Sequence, residues 1–318
     1  MGNIIDAPTT GESTIVEFDV YSPKRVSYIV ATKNRAADLQ RALALVREFI
    51  TPDDELIIVD GRSTDDTRRV VERNADIIHR FISESDVNAA HAVNKGIMLA
   101  QGRYIRQVTD DDIVHPAGIE QAIQVMDQHP EVDLMVCGGT KQILDNPPFE
   151  VWIPPGVNYG NSTEDVFRFT GTGAGFVIRR NALPLIGLVP PGIAADVEFV
   201  LQAIDRGATV RFCRINLFHH PIHSGSYIIK HQNESLKDVY RLLRRYCSLK
   251  FYVYYRVHRF FRRIPAWRQL VKAWKRNRRF PQRVWNKALR ASKIITPDPD
   301  SVGGTEPKKP ERWDGGFS

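Results

Sequence analysis

Val26-Ser-Tyr-Ile-Val-Ala31 and Glu55-Leu-Ile-Ile-Val-Asp60 are two short apolar runs separated by a stretch with helical spacing. The short length of each run, bounded by polar residues, is typical of a buried strand. Residues 36–49 between them carry an apolar residue every three or four positions, at Leu39, Leu43, Val46 and Phe49. This order of strand, helix and strand predicts a parallel βαβ unit.

The same alternation continues on both sides of this unit. The pattern predicts an edge strand at 14–20, a helix from a Ser63 or Thr64 cap to about 74, and strands at 77–82, 103–108 and 132–137. It also predicts helices at 89–100, closed by Gly102, and at 116–129. The second half is less regular, with a Pro- and Gly-rich loop at 151–159, strands at 172–178 and 208–214, and a helix at 196–206. We therefore predict an α/β fold with a doubly wound, mostly parallel sheet flanked by helices.

Composition narrows the class of protein. The chain has 318 residues, of which 42% are hydrophobic and 25% charged, as in ordinary globular proteins. Its three cysteines are odd in number and form no C-x-x-C pair, which argues against a disulfide scaffold and a cysteine zinc site. We find no secretory signal and no apolar run of about 18 residues, so we expect a cytoplasmic protein.

Polar side chains follow four successive predicted strands. Thr32, Asn34 and Arg35 follow the first strand, Asp60 the second, Glu84 and Asp86 the third, and Asp110 to Asp112 the fourth. Each acid taken alone is typical of a helix cap, but ligands of such sheets bind beyond the carboxyl ends of the strands. The order of these residues therefore predicts a binding site at one sheet edge.

The run Asp110-Asp-Asp112 indicates a metal. Three adjacent carboxylates do not all stay ionised without a nearby cation, and oxygen ligands favour a hard divalent ion such as Mg²⁺ or Mn²⁺. A solvated acidic loop is the alternative. No G-x-G-x-x-G follows the first strand and no G-K-[ST] is present, which argues against a dinucleotide dehydrogenase and a P-loop protein.

These motifs together resemble family 2 glycosyltransferases, over about residues 25–226. The resemblance is carried by Val30-Ala-Thr-Lys-Asn-Arg35, Val59-Asp-Gly-Arg-Ser-Thr-Asp-Asp66, Ser83-Glu-Ser-Asp86, Ala92-Val-Asn-Lys-Gly96, Thr109-Asp-Asp-Asp-Ile-Val-His-Pro116 and Ile193-Ala-Ala-Asp196. It implies a GT-A fold, with a donor-binding half at about 25–138 and an acceptor-binding half at about 139–238. It also implies transfer of a sugar from a nucleotide-sugar donor to an acceptor hydroxyl, with inversion.

The resemblance implies a role for each matching residue. Asp196 is the implied catalytic base, although a helix N-cap is its alternative role. Asp111, Asp112 and His223 are the implied metal residues, with His223 on a loop over the diphosphate or on a plain turn. The implied nucleotide-sugar contacts are Thr32, Asn34, Arg35, Asp60, Ser63, Glu84, Asn94, Lys95 and Asp110, with Asp60 on the base and Asp110 on the ribose.

The charge is divided along the chain. Residues 239–293 contain 18 Lys and Arg, no Asp or Glu, and 12 aromatic residues, whereas residues 1–238 are acidic overall. We predict a basic, aromatic helical extension at 239–293, a leader or edge strand at 1–24 and a disordered tail at 294–318. The apolar stripe of this extension fits either an anionic membrane surface or packing on the catalytic domain.

Two other function classes stay open at this point. The basic segment also fits a nucleic-acid-binding protein, and an α/β nucleotide-binding core also fits a nucleotidyltransferase. We favour a transferase acting in polysaccharide, lipopolysaccharide or glycolipid synthesis for the cell envelope, with no specific nucleic-acid partner. Its expected position is peripheral, at the inner face of the cell membrane.

Overall fold

The computed structural model describes residues 14–17, 24–110, 113–143, 150–152, 162–167, 173–222 and 230–262. The chain divides into two compact units, Met1–Val253 and Tyr254–Ser318. The first unit holds the sheet and its flanking helices. The described part of the second unit is the end of the last helix.

Strands and helices alternate through the first half, as the apolar spacing predicts. The elements are β1 Thr14–Glu17, β2 Val26–Thr32, α1 Ala36–Arg47, β3 Glu55–Asp60, α2 Thr67–Arg73, β4 Arg80–Ser83, α3 Ala89–Leu99 and β5 Tyr104–Gln107. The edge strand expected at 14–20 is present over Thr14–Glu17, paired with β4. Its remaining residues lie outside the described part of the chain.

The second half begins with a short strand and ends with two consecutive helices. The elements are β6 Ile113–Val114, α4 Pro116–Gln128, β7 Leu134–Ile143, β8 Glu150–Trp152, α5 Thr163–Val166, β9 Phe176–Arg179, α6 Leu183–Ile186, α7 Ala195–Asp205, β10 Val210–Ile222, α8 Gln232–Tyr246 and α9 Leu249–Arg262. One 3-10 turn, Gly173–Gly175, precedes β9, and another, Arg180–Ala182, follows it.

The described strands form one sheet in the order β1-β4-β3-β2-β5-β9-β7-β10-β6, with β8 paired to β7. Pairing is parallel for β4–β3, β3–β2, β2–β5 and β7–β10. The strands β1, β6, β8 and β9 join antiparallel. The α/β class and the parallel pairing of β2 to β5 are thus as predicted, while β1 and the strands of the second half make the sheet mixed.

The hydrophobic core is centred on β2 and β3, and it fixes where their polar ends lie. Strands β2 and β3 are buried almost throughout, and α1 and α4 turn their apolar stripes towards the same core through Leu39, Leu43, Ile119 and Met126. Thr32, Asp60 and Ser83 are register partners at the carboxyl ends of three parallel strands. Three polar strand ends are therefore aligned at one edge.

Two local predictions differ from the structure. The loop predicted at 151–159 contains part of β8, because Val151 and Trp152 pair with β7 despite the flanking prolines. The helix α2 begins after Asp66 with no side-chain cap, and the Ser63 hydroxyl bonds to Asp60 instead. The helix α3 ends at Leu99, within one residue of its predicted end at residue 100.

The basic segment starts inside a helix of the first unit. Helix α8 runs across the expected boundary at residue 238, and its Leu242 and Leu243 are fully buried. Phe251 of α9 is also buried and lies 6.4 Å, centroid to centroid, from Phe167. These positions of the apolar stripe therefore belong to the core.

Residues 263–293 and the tail at 294–318 lie outside the described residues. Within the described ranges, no helix combines the length and apolarity needed to cross a bilayer.

Candidate active site

Asp110 links the ends of two neighbouring strands. Its carboxylate is 6% exposed, and Oδ2 accepts a hydrogen bond from the Thr32 hydroxyl at 3.2 Å. Oδ1 accepts one from Arg35 Nη1 at 2.7 Å, which is also an ion pair. The structure therefore brings together three residues that the strand-end pattern predicts. Because Arg35 neutralises Asp110 and is itself partly exposed, this pair lines an open edge of the sheet.

Asn34 and Ser63 join the loops that follow β2 and β3. Asn34 has a left-handed backbone with φ of 51°, a conformation that asparagine tolerates better than most residues. Its N–H donates to Ser63 Oγ at 2.7 Å, and its side-chain oxygen accepts from the Thr64 N–H at 2.8 Å. These hydrogen bonds thus link the two loops to each other.

Asp60 is the buried centre of this edge. It is 3% exposed and accepts hydrogen bonds from the Ser63 N–H at 3.1 Å and from the Ser83 hydroxyl at 2.6 Å. Its main-chain oxygen accepts from the Glu84 N–H at 3.0 Å. Asp60 therefore connects β3 to the next strand end, where the second group of predicted residues lies.

Lys95 forms two ion pairs after β4. Its ammonium group lies 2.8 Å from Glu84 and 2.7 Å from Asp86, and the side chain is only 7% exposed. Burial by itself lowers the pKa of Lys95, but the hydrogen bonds to Asp86 and Glu84 outweigh burial and raise it. A side chain on Gly61 would meet Asp86 Oδ2 at 3.0 Å, so this cluster lies directly against the β3 loop.

Asn94 has a different environment from its neighbour Lys95. Its amide donates to the Val189 carbonyl at 2.8 Å and accepts from the Val189 N–H at 2.9 Å. Both ends of the amide thus tie α3 to the loop before α7. The predicted contact between Asn94 and the donor stays a prediction.

The expected metal residues Asp111, Asp112 and His223 lie outside the described residues. Within the described ranges, no group of three or more His, Cys, Asp or Glu side chains is arranged to hold a metal. The preceding Asp110 already has Thr32 and Arg35 on its two oxygens. The expected division of roles, with Asp110 on the ribose and the following acids on the metal, stays a prediction.

Asp196 lies in the first turn of α7. Its Oδ1 accepts a hydrogen bond from the Val197 N–H at 3.0 Å, and the N-cap position itself is Ala194. Asp196 is therefore not the N-cap residue of α7, which is the alternative role that its position in the sequence allows. Two residues later, Glu198 is 5% exposed and its carboxylate lies 2.7 Å from Arg241 of α8.

The histidine cluster H-H-x-x-H starts within β10. His219 Nδ1 lies 2.8 Å from the Thr140 hydroxyl of β7. Because successive strand residues point to opposite faces, His219 and His220 do not converge on one ion. Within the described residues, this histidine pair therefore forms no metal site.

Sequence reasoning missed several residues that complete this edge. Ser83, which opens the motif Ser83-Glu-Ser-Asp86 but has no predicted role of its own, donates a hydrogen bond to Asp60. Arg106 is 1% exposed and donates from Nη1 to the Ala174 carbonyl at 2.7 Å, which holds the glycine-rich turn against β5. The turn Gly173–Gly175 is thus closely packed, since a side chain on Gly175 would meet the Cys137 carbonyl oxygen at 2.4 Å.

Comparison with known sequences identifies the domain. Residues 27–184 match the family described as glycosyl transferase family 2. A putative glycosyltransferase, EpsH of Bacillus subtilis, is 25% identical over 228 residues, covering 66% of this chain and 64% of its own. A putative teichuronic acid biosynthesis glycosyltransferase, TuaG of the same organism, is 33% identical over 104 residues, covering 32% of this chain and 41% of its own. The chain thus spans less than two thirds of the length of these relatives.

Two solved structures share the fold. TarS 1-349 of S. aureus, in complex with UDP-GlcNAc, has a TM-score of 0.53 at 20% identity, covering 69% of this chain and 64% of its own. The mannosyltransferase PcManGT of Pyrobaculum calidifontis, in complex with GDP-Man and Mn²⁺, has a TM-score of 0.52 at 19% identity, covering 69% of this chain and 66% of its own. The expected GT-A architecture is confirmed.

Proposed function

This chain belongs to glycosyl transferase family 2 through residues 27–184, and we propose that it transfers a sugar from a nucleotide-sugar donor to an acceptor hydroxyl, with inversion. The observation that carries the proposal is the hydrogen-bonded edge formed by Thr32, Arg35, Asp60 and Asp110. Hydrogen bonds among these side chains and to Ser83 hold the donors and acceptors of this edge in defined positions, as is usual in small-molecule sites.

In the proposed donor site, each residue has one task. Asp60 accepts from the base edge, and Asp110 accepts from the ribose while Arg35 holds its carboxylate. Asn34 and Ser63 fix the two loops that flank the nucleotide. Glu84 follows β4 and pairs with Lys95 of α3, where the sugar would follow.

In the proposed transfer, the acceptor oxygen forms a bond to the anomeric carbon while the bond from that carbon to the diphosphate oxygen breaks. Asp196 takes the proton of the acceptor hydroxyl, and the electron pair of the broken bond leaves with the nucleoside diphosphate. Asp111, Asp112 and His223 would hold Mn²⁺ or Mg²⁺, which neutralises charge on the leaving diphosphate.

The first test measures nucleoside diphosphate release. Purified protein is incubated with UDP-GlcNAc or GDP-Man, with Mn²⁺ or with excess chelator. We expect slow release from at least one nucleotide sugar, lost in chelator, and a higher melting temperature with UDP or GDP plus Mn²⁺ because the ligand binds only folded protein. Release of pyrophosphate from a nucleoside triphosphate would instead support the nucleotidyltransferase, an alternative that the family match disfavours.

Asp111→Asn isolates the metal role. Loss of one central charge contact costs several kcal/mol, so we expect release to fall by at least about 100-fold and the Mn²⁺-dependent shift in melting temperature to disappear. Glu131→Gln is the matched control, because Glu131 is exposed and precedes β7, at the opposite end of the sheet from the carboxyl end of β5. Full release by Asp111→Asn in the same assay would remove the metal from the mechanism.

We also propose that the acceptor is an envelope or lipid-linked glycan and that the protein meets it at an anionic membrane surface. The support is charge and exposure: α9 is basic, its Leu249 is 78% exposed and Val253 is 47% exposed. In the second unit, Tyr254 and Phe260 are 54% and 65% exposed. Exposed apolar residues beside Lys and Arg suit the interface of an anionic bilayer. The nucleic-acid alternative rests on the same charge and is disfavoured by the family match.

Charge reversal in α9 tests the membrane proposal on the full chain. With phosphatidylglycerol–phosphatidylcholine vesicles, we expect salt-sensitive co-sedimentation that Lys250→Glu with Arg256→Glu weakens by at least about 10-fold, because each charge near the surface contributes about 1 kcal/mol. Arg68→Glu with Arg69→Glu changes the net charge equally on exposed α2 and is the control. Equal sedimentation of both variants, or binding to RNA homopolymer instead of vesicles, contradicts the proposal.

A further inference from the structure

Helix α8 holds the first turn of α7 through a buried carboxylate. Glu198 is 5% exposed, and both of its oxygens accept hydrogen bonds from Arg241, at 2.7 Å and 3.3 Å. Arg245, one helical turn further along α8, lies 3.4 Å from the same carboxylate. A bidentate pair of this kind fixes orientation as well as distance.

A second carboxylate from α8 holds the start of the same helix. Asp238 Oδ2 accepts from the N–H groups of Ile193 and Ala194, at 3.1 Å and 3.5 Å. The N-cap residue Ala194 has no side-chain acceptor, so Asp238 supplies from another helix the partner that a helix start needs. Its other oxygen accepts from Arg241 Nε at 3.2 Å, which links the two contacts.

The loop before α7 is built to allow this approach. Gly192 has φ of +142°, and a side chain there would meet Asp238 Oδ2 at 3.1 Å. Both the backbone conformation and the short distance favour glycine. The main chain therefore passes close to Asp238 just before the turn that carries Asp196.

We propose that Asp238 and Arg241 are positioning residues for Asp196. This inference rests on the proposed function, in which Asp196 takes the acceptor proton. Asp238 and Arg241 fix the turns on both sides of Asp196 in sequence, one through the main chain of 193–194 and the other through Glu198. They act through α7, so they control where the base lies rather than the chemistry itself. A displacement of about 1 Å at a catalytic group costs up to about 100-fold in rate.

Arg241→Gln in the full chain is the test, assayed with UDP-GlcNAc or GDP-Man according to which is turned over. We expect kcat to fall between about 10- and 100-fold, with the Kd for UDP or GDP plus Mn²⁺ unchanged. Arg241→Lys keeps one ion pair and should recover part of the rate. Arg244→Gln is the matched control, because Arg244 lies on the exposed side of α8, stacked over Tyr252.

A double variant separates positioning from a general loss of stability. If Arg241 acts through Glu198, Glu198→Gln with Arg241→Gln should lower kcat no further than the worse single variant. A folded Arg241→Gln protein with wild-type kcat overturns the proposal. If Arg241→Gln does not fold, wild-type kcat in both single variants, Arg241→Lys and Glu198→Gln, overturns it instead. Normal turnover by Asp196→Asn is a different result. It would contradict the proposed role of Asp196 as the base, on which this inference rests.

Discussion

Asp196→Asn is expected to lower turnover by roughly 10²- to 10⁴-fold, the range for loss of a general base. Asparagine has the same size and can still accept the Val197 N–H through its side-chain oxygen, so the start of α7 should be preserved. Because the amide does not take up the acceptor proton, kcat should fall while the Kd for UDP or GDP plus Mn²⁺ stays unchanged. Steady-state rates and calorimetric nucleotide titrations measure the two quantities separately.

Asp205→Asn is the matched control for this prediction. Asp205 is the last residue of the same helix and is exposed, so its loss should leave kcat unchanged. Glu198, the other acid in the first turn of α7, is buried and its carboxylate pairs with Arg241 and Arg245. Wild-type kcat in Asp196→Asn would therefore show that the first turn of α7 does not supply the base.

The first half of the fold was predictable because local pattern and tertiary structure agree there. Each apolar run of six or so residues became a buried strand, and the polar residue that ended it lies at the shared edge. Parallel pairing places all such strand ends together, so sequence order was enough to assemble Thr32, Asp60 and Asp110.

The second half was less predictable because its contacts are long in sequence. The β7–β8 pairing depends on two strands meeting across a proline-rich stretch, and β10 reaches past its predicted end at residue 214 because it follows β7 through two register shifts. Buried Arg106 looks like an ordinary polar strand position in the sequence, yet its partners are carbonyls 68 and 111 residues away.

The basic segment shows the same limit for charge. Its composition distinguishes residues 239–293 from the acidic body. Composition does not show which of its arginines form an ion pair with the catalytic domain, as Arg241 does with a carboxylate 43 residues earlier. Only the packing of α8 on α7 makes that distinction. A truncation at residue 238 would therefore remove part of the catalytic unit along with the candidate membrane segment.

Lys95→Met is expected to lower the free energy of unfolding by about 2–3 kcal/mol, measured without nucleotide. Removing one partner of a fully buried ion pair costs about 3–5 kcal/mol, and the loss here is smaller because Glu84 is 31% exposed. For a domain of this size the change corresponds to a melting temperature lower by about 4–12 °C. Lys250→Met on exposed α9 removes the same charge and is the control.

The pH dependence of this loss identifies its cause as charge. Because the pKa of Lys95 is raised in the folded protein, its contribution is fully present at neutral pH and is lost only as pH rises through the folded value. In the variant, Glu84 and Asp86 lack their shared cation, and their two like charges lie close together. The difference in melting temperature between the wild type and the variant should therefore shrink at alkaline pH, and Lys95→Met with Asp86→Asn should recover stability at pH 7.5. A difference that stays constant as the pH rises, with no recovery in the double variant, would show that Lys95 acts by packing alone.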